Sequence, residues 1–260
     1  MLKKIYLITT VVGIFLIISS TNLFGQVPYY VIDTTFSPCY QLQFTECNDC
    51  DSTIVTETIL IEGCPCIVTY KITNCNCPEP RTFVEILYIR VNINFPPPCV
   101  VLINKVHPDF PELNMDNYQN LMKDIYDDIF NRLFDAVSNN YPCPEMQKSF
   151  YYLEATCKMV CTVGLSAPGQ PDALLWLPKY CTPTGCCTTE YQYCKNPDGS
   201  IVRSVIRTGG GVCEGTQPSE PCPIPGSGPT AQQININGIY YNVTWVNASE
   251  CTAVCIPIEW

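Results

Sequence analysis

A single histidine, His107, occurs in 260 residues, and 14 lysines and arginines face 24 acids. One imidazole confines every Ser-His or Cys-His nucleophilic system to that position. It also excludes a c-type haem signature, which needs a histidine directly after a paired cysteine. His107 sits in Val106-His107-Pro108-Asp109, where proline favours an extended or turn backbone, so a surface role is expected before a catalytic one. The shortage of basic side chains leaves a formal net charge of −10 and excludes nucleic acid as a partner, because phosphate binding needs neutralising Lys and Arg. Phosphate loops are missing too: Gly209-Gly210-Gly211 lacks the following Lys-Ser/Thr and reads as a turn. Beyond the first 25 residues no apolar run approaches 18, so no later segment is expected to cross a membrane as a helix.

Cysteine is abundant instead: 19, beside 23 prolines and 16 tyrosines. Residues 1–25 read as a signal peptide, with Lys3 and Lys4 ahead of the apolar stretch Ile5 to Ile18 and a polar exit toward Gly25. That stretch is shorter than the ~20 residues needed to span a bilayer, and no cysteine follows it for lipid attachment. Export places the chain outside the inner membrane, in the periplasm, at the cell surface or secreted. There disulfides form and persist.

Past the signal the periodicity is mainly that of strands. From Tyr151 to Val163 apolar residues hold the odd positions, and in Thr82 to Phe95 the odd set Phe83, Leu87, Ile89, Val91, Ile93 and Phe95 predicts one core-facing side. Ser52–Glu62 and Cys66–Asn74 predict a hairpin turning at Gly63-Cys64-Pro65. Asn196-Pro197-Asp198-Gly199 and Asn237-Gly238 predict two more, the Asn-Gly pair being the stronger signal because both turn positions must accept positive φ. One helix stands apart. In Asn117–Val137, Tyr118, Leu121, Met122, Ile125, Ile129, Leu133 and Phe134 recur at three- and four-residue spacings, with Asp116 as cap. Its acidic face, including Asp124, Asp127 and Asp128, is expected to be solvated.

These patterns predict a mainly β or α+β chain: antiparallel, hairpin-rich sheets stapled by disulfides, with one central amphipathic helix. The expected layout is a Cys-rich β module over 26–110, a connecting helix over 111–141 and a second β module over 142–260, possible as one continuous domain with the first. Phe95-Pro96-Pro97-Pro98-Cys99 and Cys213–Thr230 read as stapled connections. A faint echo of Cys66, Tyr70 and Cys75 in Cys187, Tyr191 and Cys194 hints at related modules.

Nineteen cysteines leave one outside any set of intramolecular pairs. Cys47-Asn48-Asp49-Cys50 has redox spacing, but Glu46, Asp49 and Asp51 would raise the thiol pKa values, so structural bridges are expected. Cys64, Cys66, Cys75 and Cys77 have spacing that zinc would accept, and export again favours disulfides. Cys186 and Cys187 are expected to bridge to different strands. Among acids, Asp33-Thr34-Thr35 and Asp51-Ser52-Thr53 approach the loops of aspartic proteases but lack their glycine. Asn242 and Asn247 lie in glycosylation acceptor patterns, taken as chance behind a bacterial-looking signal. Terminal Trp260 suggests an outer-membrane barrel strand, which Pro257 and the cysteines oppose.

No catalytic, cofactor or metal residue is assigned, and no cofactor is expected. The leading expectation is a secreted, non-catalytic structural or adhesive protein of a surface, matrix or filament. Its partner would be itself, as an oligomer or disulfide-linked polymer, or an extracellular glycan or protein. The alternatives are a glycan- or protein-binding module and a secreted hydrolase using paired carboxylates.

Overall fold

The computed structural model describes residues 29–33, 39–40, 47–77, 79–93, 97–182, 185–209, 213, 216–226 and 232–254. Residues 1–25, read as a signal peptide, and Thr34-Thr35, Gly210-Gly211, Pro257 and Trp260 lie outside them. Strands dominate: β1 (Tyr29–Tyr30), β2 (Asn48–Ile61), β3 (Cys64–Asn76), β4 (Pro80–Asn92), β5 (Lys148–Ala155), β6 (Cys157–Ser166), β7 (Ala173–Thr182), β8 (Cys186–Lys195) and β9 (Ile201–Gly209). The short β10 (Gln217–Pro218), then β11 (Gln233–Ile236), β12 (Ile239–Ala248) and β13 (Thr252–Ala253) complete the set. Two helices, α1 (Pro97–Val106) and α2 (Met115–Asp135), lie between β4 and β5.

The strands form one forked sheet, and β4 is the fork. One side of β4 pairs with β3 over most of its length, and β2 pairs beyond β3. The other side is shared: Thr82 and Phe83 pair with β5 in parallel, while Ile89 to Asn92 pair with β7 antiparallel. One arm continues as β5-β8-β9 and the other as β7-β6-β12-β11-β1. The alternation from Tyr151 to Val163, read as one strand, is two: the chain bends at Thr156, and β5 and β6 enter different arms. A bend of one residue leaves period-two alternation intact, which is why the sequence does not show it.

A second correction concerns β4. Ile86 pairs with Tyr70 and Tyr88 with Thr69, leaving Leu87 as an extra residue. This bulge reverses the phase of the strand. Val84 and Ile86 face the helix-side core before it and Ile89 and Val91 after it, while consecutive Leu87 and Tyr88 both turn to the other core. No single odd set faces one side.

The helix lies over 115–135 and is capped by Asn114, whose side chain accepts from the Asn117 backbone N–H; Asp116 sits in the first turn instead. Its apolar stripe meets the β5-β8 arm in an aromatic stack. Tyr126 lies on Tyr152 with ring centroids 4.1 Å apart, Phe130 on Phe150 at 5.5 Å and Phe134 on Tyr193 at 5.1 Å. Helix positions four apart thus meet alternate strand positions, so both periodicities serve one interface. The stretch Pro97-Pro98-Cys99, read as a connection, opens the second helix, α1. Proline suits a helix start because the first N–H groups need no intrahelical partner.

Two of the three turns are where expected, and the first is shifted. Glu62 and Gly63 both have positive φ (50° and 83°), so the first hairpin turns one residue earlier than Gly63-Cys64-Pro65. Asn237 and Gly238 (φ 53° and 85°) turn β11 into β12, and Asn196–Gly199 joins β8 to β9.

Eight disulfides are described: Cys39–Cys186, Cys47–Cys77, Cys50–Cys75, Cys64–Cys99, Cys143–Cys194, Cys157–Cys213, Cys161–Cys222 and Cys181–Cys251. All but Cys50–Cys75, which joins the paired strands β2 and β3, fasten a segment outside the strands, as read for Cys99 and the 213–230 stretch. Each typically adds about 2–4 kcal/mol by restricting the unfolded chain.

The aromatic stack predicts a sharp contrast in stability. Phe130→Ala should cost about 3–5 kcal/mol by cavity formation, and exposed Thr58→Ala less than about 0.5 kcal/mol. Denaturant unfolding with the bridges intact measures both, and equal costs would contradict the packing.

Candidate binding cleft

Among the described residues, four concavities separate space from charge. The roomy one is a cleft of about 470 Å³ between the β1/β11/β12 end of one arm and the outer face of β2-β3-β4. Such a volume falls in the usual range of ligand sites. Tyr29, Tyr30, Val31, Ile32, Asn235, Asn237 and Tyr240 make one wall, and Ile54, Thr56, Thr69, Leu87 and Tyr88 the other. No charged side chain is among them.

Local structure explains each wall. The β4 bulge delivers Leu87 and Tyr88 together to the cleft. Across β3 and β2, Thr69 and Thr56 share a side-chain hydrogen bond of 2.8 Å, fixing a polar strip beside those apolar residues. The Asn237-Gly238 turn raises Tyr240 over the opening, held in shape by Asn235 Oδ1 accepting from the Gly238 N–H. Tyr29 and Tyr240 pack with ring centroids 5.6 Å apart, yet stay 58% and 50% exposed, so two ring faces stand at the rim. Outside the lining, Arg90 donates to the Tyr241 hydroxyl (2.8 Å), tying β4 to β12.

The other three concavities hold the charge but little room. About 20 Å³ lies among Tyr118, Tyr152, Glu154, Lys158 and Arg207, space for roughly one water. There Glu154 accepts from Lys158 at 2.9 Å and from Arg207 at 2.8 Å. Two cavities of about 50 Å³ border Glu85 and Lys179. Lys179 pairs with Glu220 at 2.6 Å.

The residues singled out in the sequence do not converge. His107 follows α1 and is 1% exposed, a correction to its reading as a surface residue. Its Nδ1 faces the carbonyls of Pro111 (3.2 Å) and Glu112 (3.1 Å), and its Nε2 accepts from the Trp176 indole N–H at 2.9 Å. The proton therefore sits on Nδ1, and the ring is a strut between α1 and β7. Burial pushes its pKa below the usual histidine value, against the opposing pull of those carbonyls. Asp51-Ser52-Thr53 lies within β2 and makes no loop. Asp127 pairs with Lys123 at 3.6 Å and Arg203 at 3.0 Å, and Asp128 with Arg132 at 2.7 Å. Asp127 is engaged rather than solvated, because α2 lies across the strand that carries Arg203, and Asp128 is paired within the helix, while Asp124 stays exposed as expected. Asn242 accepts from Gln233 within the β11-β12 pair.

Cysteine spacing misleads for the same reason. Cys47 and Cys50 bridge to Cys77 and Cys75, not to each other. Cys64 joins Cys99, so the four thiols read as a zinc set are dispersed. Cys186 joins Cys39, and Cys187 is also disulfide-bonded. Among the described residues the free cysteine is Cys66, buried on β3 opposite Ile59. Burial pushes its thiol pKa up to about 12. An interchain bridge through Cys66 would need the core to open.

In comparison with known proteins, the chain matches no family model, no curated protein and no solved structure.

Two outcomes follow from these environments. A histidine whose folded pKa lies below its unfolded value of about 6.5 binds fewer protons when folded, so its stabilisation is whole above that pH and shrinks as pH falls through it. Melting temperature should drop between about pH 7 and 5 more steeply for the wild type than for His107→Gln; parallel profiles would remove the strut. Cys66 should resist iodoacetamide at about pH 8 in the native protein and label after unfolding without reductant. Labelling of native protein at the rate of a free thiol would contradict its burial.

Proposed function

We propose that this chain is an exported, non-catalytic adhesive protein of the extracellular space or cell surface, and that it adheres through the tyrosine-lined cleft. One observation carries the reading: among the described residues the concavity with room for a ligand has no charged lining, and Glu154 and Glu220, beside the smaller ones, are held in ion pairs. General acid–base hydrolysis of a sugar bond needs two carboxyls flanking the bond. The Glu154 cavity offers one, between a lysine and an arginine, in the volume of a single water, and the cavity that gathers Asp33, Glu85 and Glu220 holds about 50 Å³, well below an ordinary ligand site. Eight disulfides support an oxidising location. Among the described residues no helix is long and apolar enough to cross a membrane.

The lining selects the ligand class. Tyrosine rings present large apolar faces with a polar tip, and Thr56, Thr69, Asn235 and Asn237 add neutral donors and acceptors. A neutral glycan fits that chemistry: the C–H faces of its rings lie on Tyr29, Tyr88 and Tyr240, and its hydroxyls bond to amides and hydroxyls. An ionic ligand would find no counter-charge there.

Titrating a panel of neutral oligosaccharides, charged oligosaccharides and extended peptides by calorimetry tests this. Saturable binding to a neutral oligosaccharide is expected, little changed by salt and weakened about tenfold or more by Tyr240→Ala, a loss of roughly 1.4 kcal/mol or above. Binding only to charged ligands, or binding that Tyr240→Ala and Tyr88→Ala leave intact, would sink the reading.

A further inference from the structure

The fold leaves two long strand edges open. β2 runs 14 residues and pairs, among the described residues, only with β3; β9 runs nine and pairs only with β8. They are the two ends of one continuous run, β2-β3-β4-β5-β8-β9. Among the described residues each presents unpaired backbone N–H and C=O groups, a template for another strand.

Direction and facing are set by the pairings. β2, β3 and β4 alternate in direction, β5 is parallel to β4, and β8 and β9 alternate again, so β2 and β9 point the same way. Odd-numbered residues of both strands face α2: Glu57 bonds Arg132 of the helix, and Arg203 pairs with Asp127. Even-numbered residues face the opposite side. A second copy displaced along the sheet, without reversal, would therefore lay its β2 parallel to β9 with odd positions beside odd.

The side chains on the two edges complement each other. β2 carries Asp49, Asp51 and Glu57 and no base, whereas β9 carries Arg203 and Arg207 and no acid. On the even face Ile54 is exposed on one edge and Val202 and Ile206 on the other. Setting Arg203 beside Asp51 brings Ile206 beside Ile54, Ser204 beside Ser52 and Thr208 beside Thr56. Pairing like edges would instead gather acid on acid or arginine on arginine, which is unfavourable across strands.

We propose that copies of this chain associate head to tail, the β2 edge of one copy adding in parallel to the β9 edge of the next. The contact is heterologous, so it propagates as an open filament or closes as a ring, and does not stop at a dimer. A nine-residue edge offers a small interface, so assembly depends on protein concentration. The contact shares Ile54 and Thr56 with one wall of the cleft, but the proposal does not rest on ligand binding there, and neither Asp51 nor Arg203 lines the cleft.

Sedimentation velocity over rising concentration, paired with hydrogen exchange, tests the assembly. The oxidised wild type should grow beyond a dimer while amides of β2 and β9 gain protection. Asp51→Arg and Arg203→Asp should each weaken association about tenfold or more. An equimolar mixture of the two should recover it, because every junction then joins opposite charges. Asp51 is exposed and its replacement leaves the core untouched; should Arg203→Asp fail to fold, Asp51→Arg and the exchange pattern decide alone. A wild type that stays monomeric, assembly that ends at a dimer, protection gained elsewhere than β2 and β9, or unimpaired assembly of Asp51→Arg would each overturn the proposal.

Discussion

The pairing of one strand, β4, with three others governs the rest of the structure. Because β5 takes its first residues and β7 its last on the same side, the sheet must divide, and two faces become available for two cores. The helices cover one core and the β6-β7-β11-β12 arm closes the other. The bulge at Leu87 lets β4 serve both. Without that extra residue Tyr88 would keep the opposite phase, and the cleft would lose a wall.

A forked sheet leaves irregular segments with few backbone partners, and all the described disulfides but Cys50–Cys75 fall on segments outside the strands. Cys99 ties the start of α1 to the first hairpin, Cys213 and Cys222 tie a proline-rich stretch to β6, and Cys143 ties the exit of α2 to β8. Closing long loops restricts the unfolded chain most in the chain-entropy account, and the separations here reach 147 residues. Cys66 completes the pattern by contrast. Buried on β3 between β2 and β4, it behaves as a small apolar side chain rather than as a reactive thiol.

Charge and space are kept apart in this molecule. Carboxylates such as Glu154, Asp127 and Asp128 are held by lysine or arginine partners, while the open cleft is uncharged. That separation favours contact over chemistry, and the proposed partners follow from it: a neutral glycan for the cleft and a second copy for the sheet edges. Both use surfaces that the fold leaves unpaired, tyrosine faces in one case and backbone edges in the other.

Much of this was legible in the sequence wherever the determinant is local. Strand alternation, the positive-φ demand of Asn237-Gly238, the apolar stripe from Tyr118 to Phe134 and the excess of cysteine each depend on neighbours a few residues away. They determined a mainly β, disulfide-stapled chain with a central amphipathic helix. Tertiary structure alone decided the rest. The bend at Thr156 and the bulge at Leu87 depend on which strands pair, the proline-led α1 is anchored by a bridge to Cys64, and His107 is buried by Trp176 from a distant strand. Disulfide partners and the walls of the cleft join residues far apart in the chain, and no local pattern encodes the distances that bring them together.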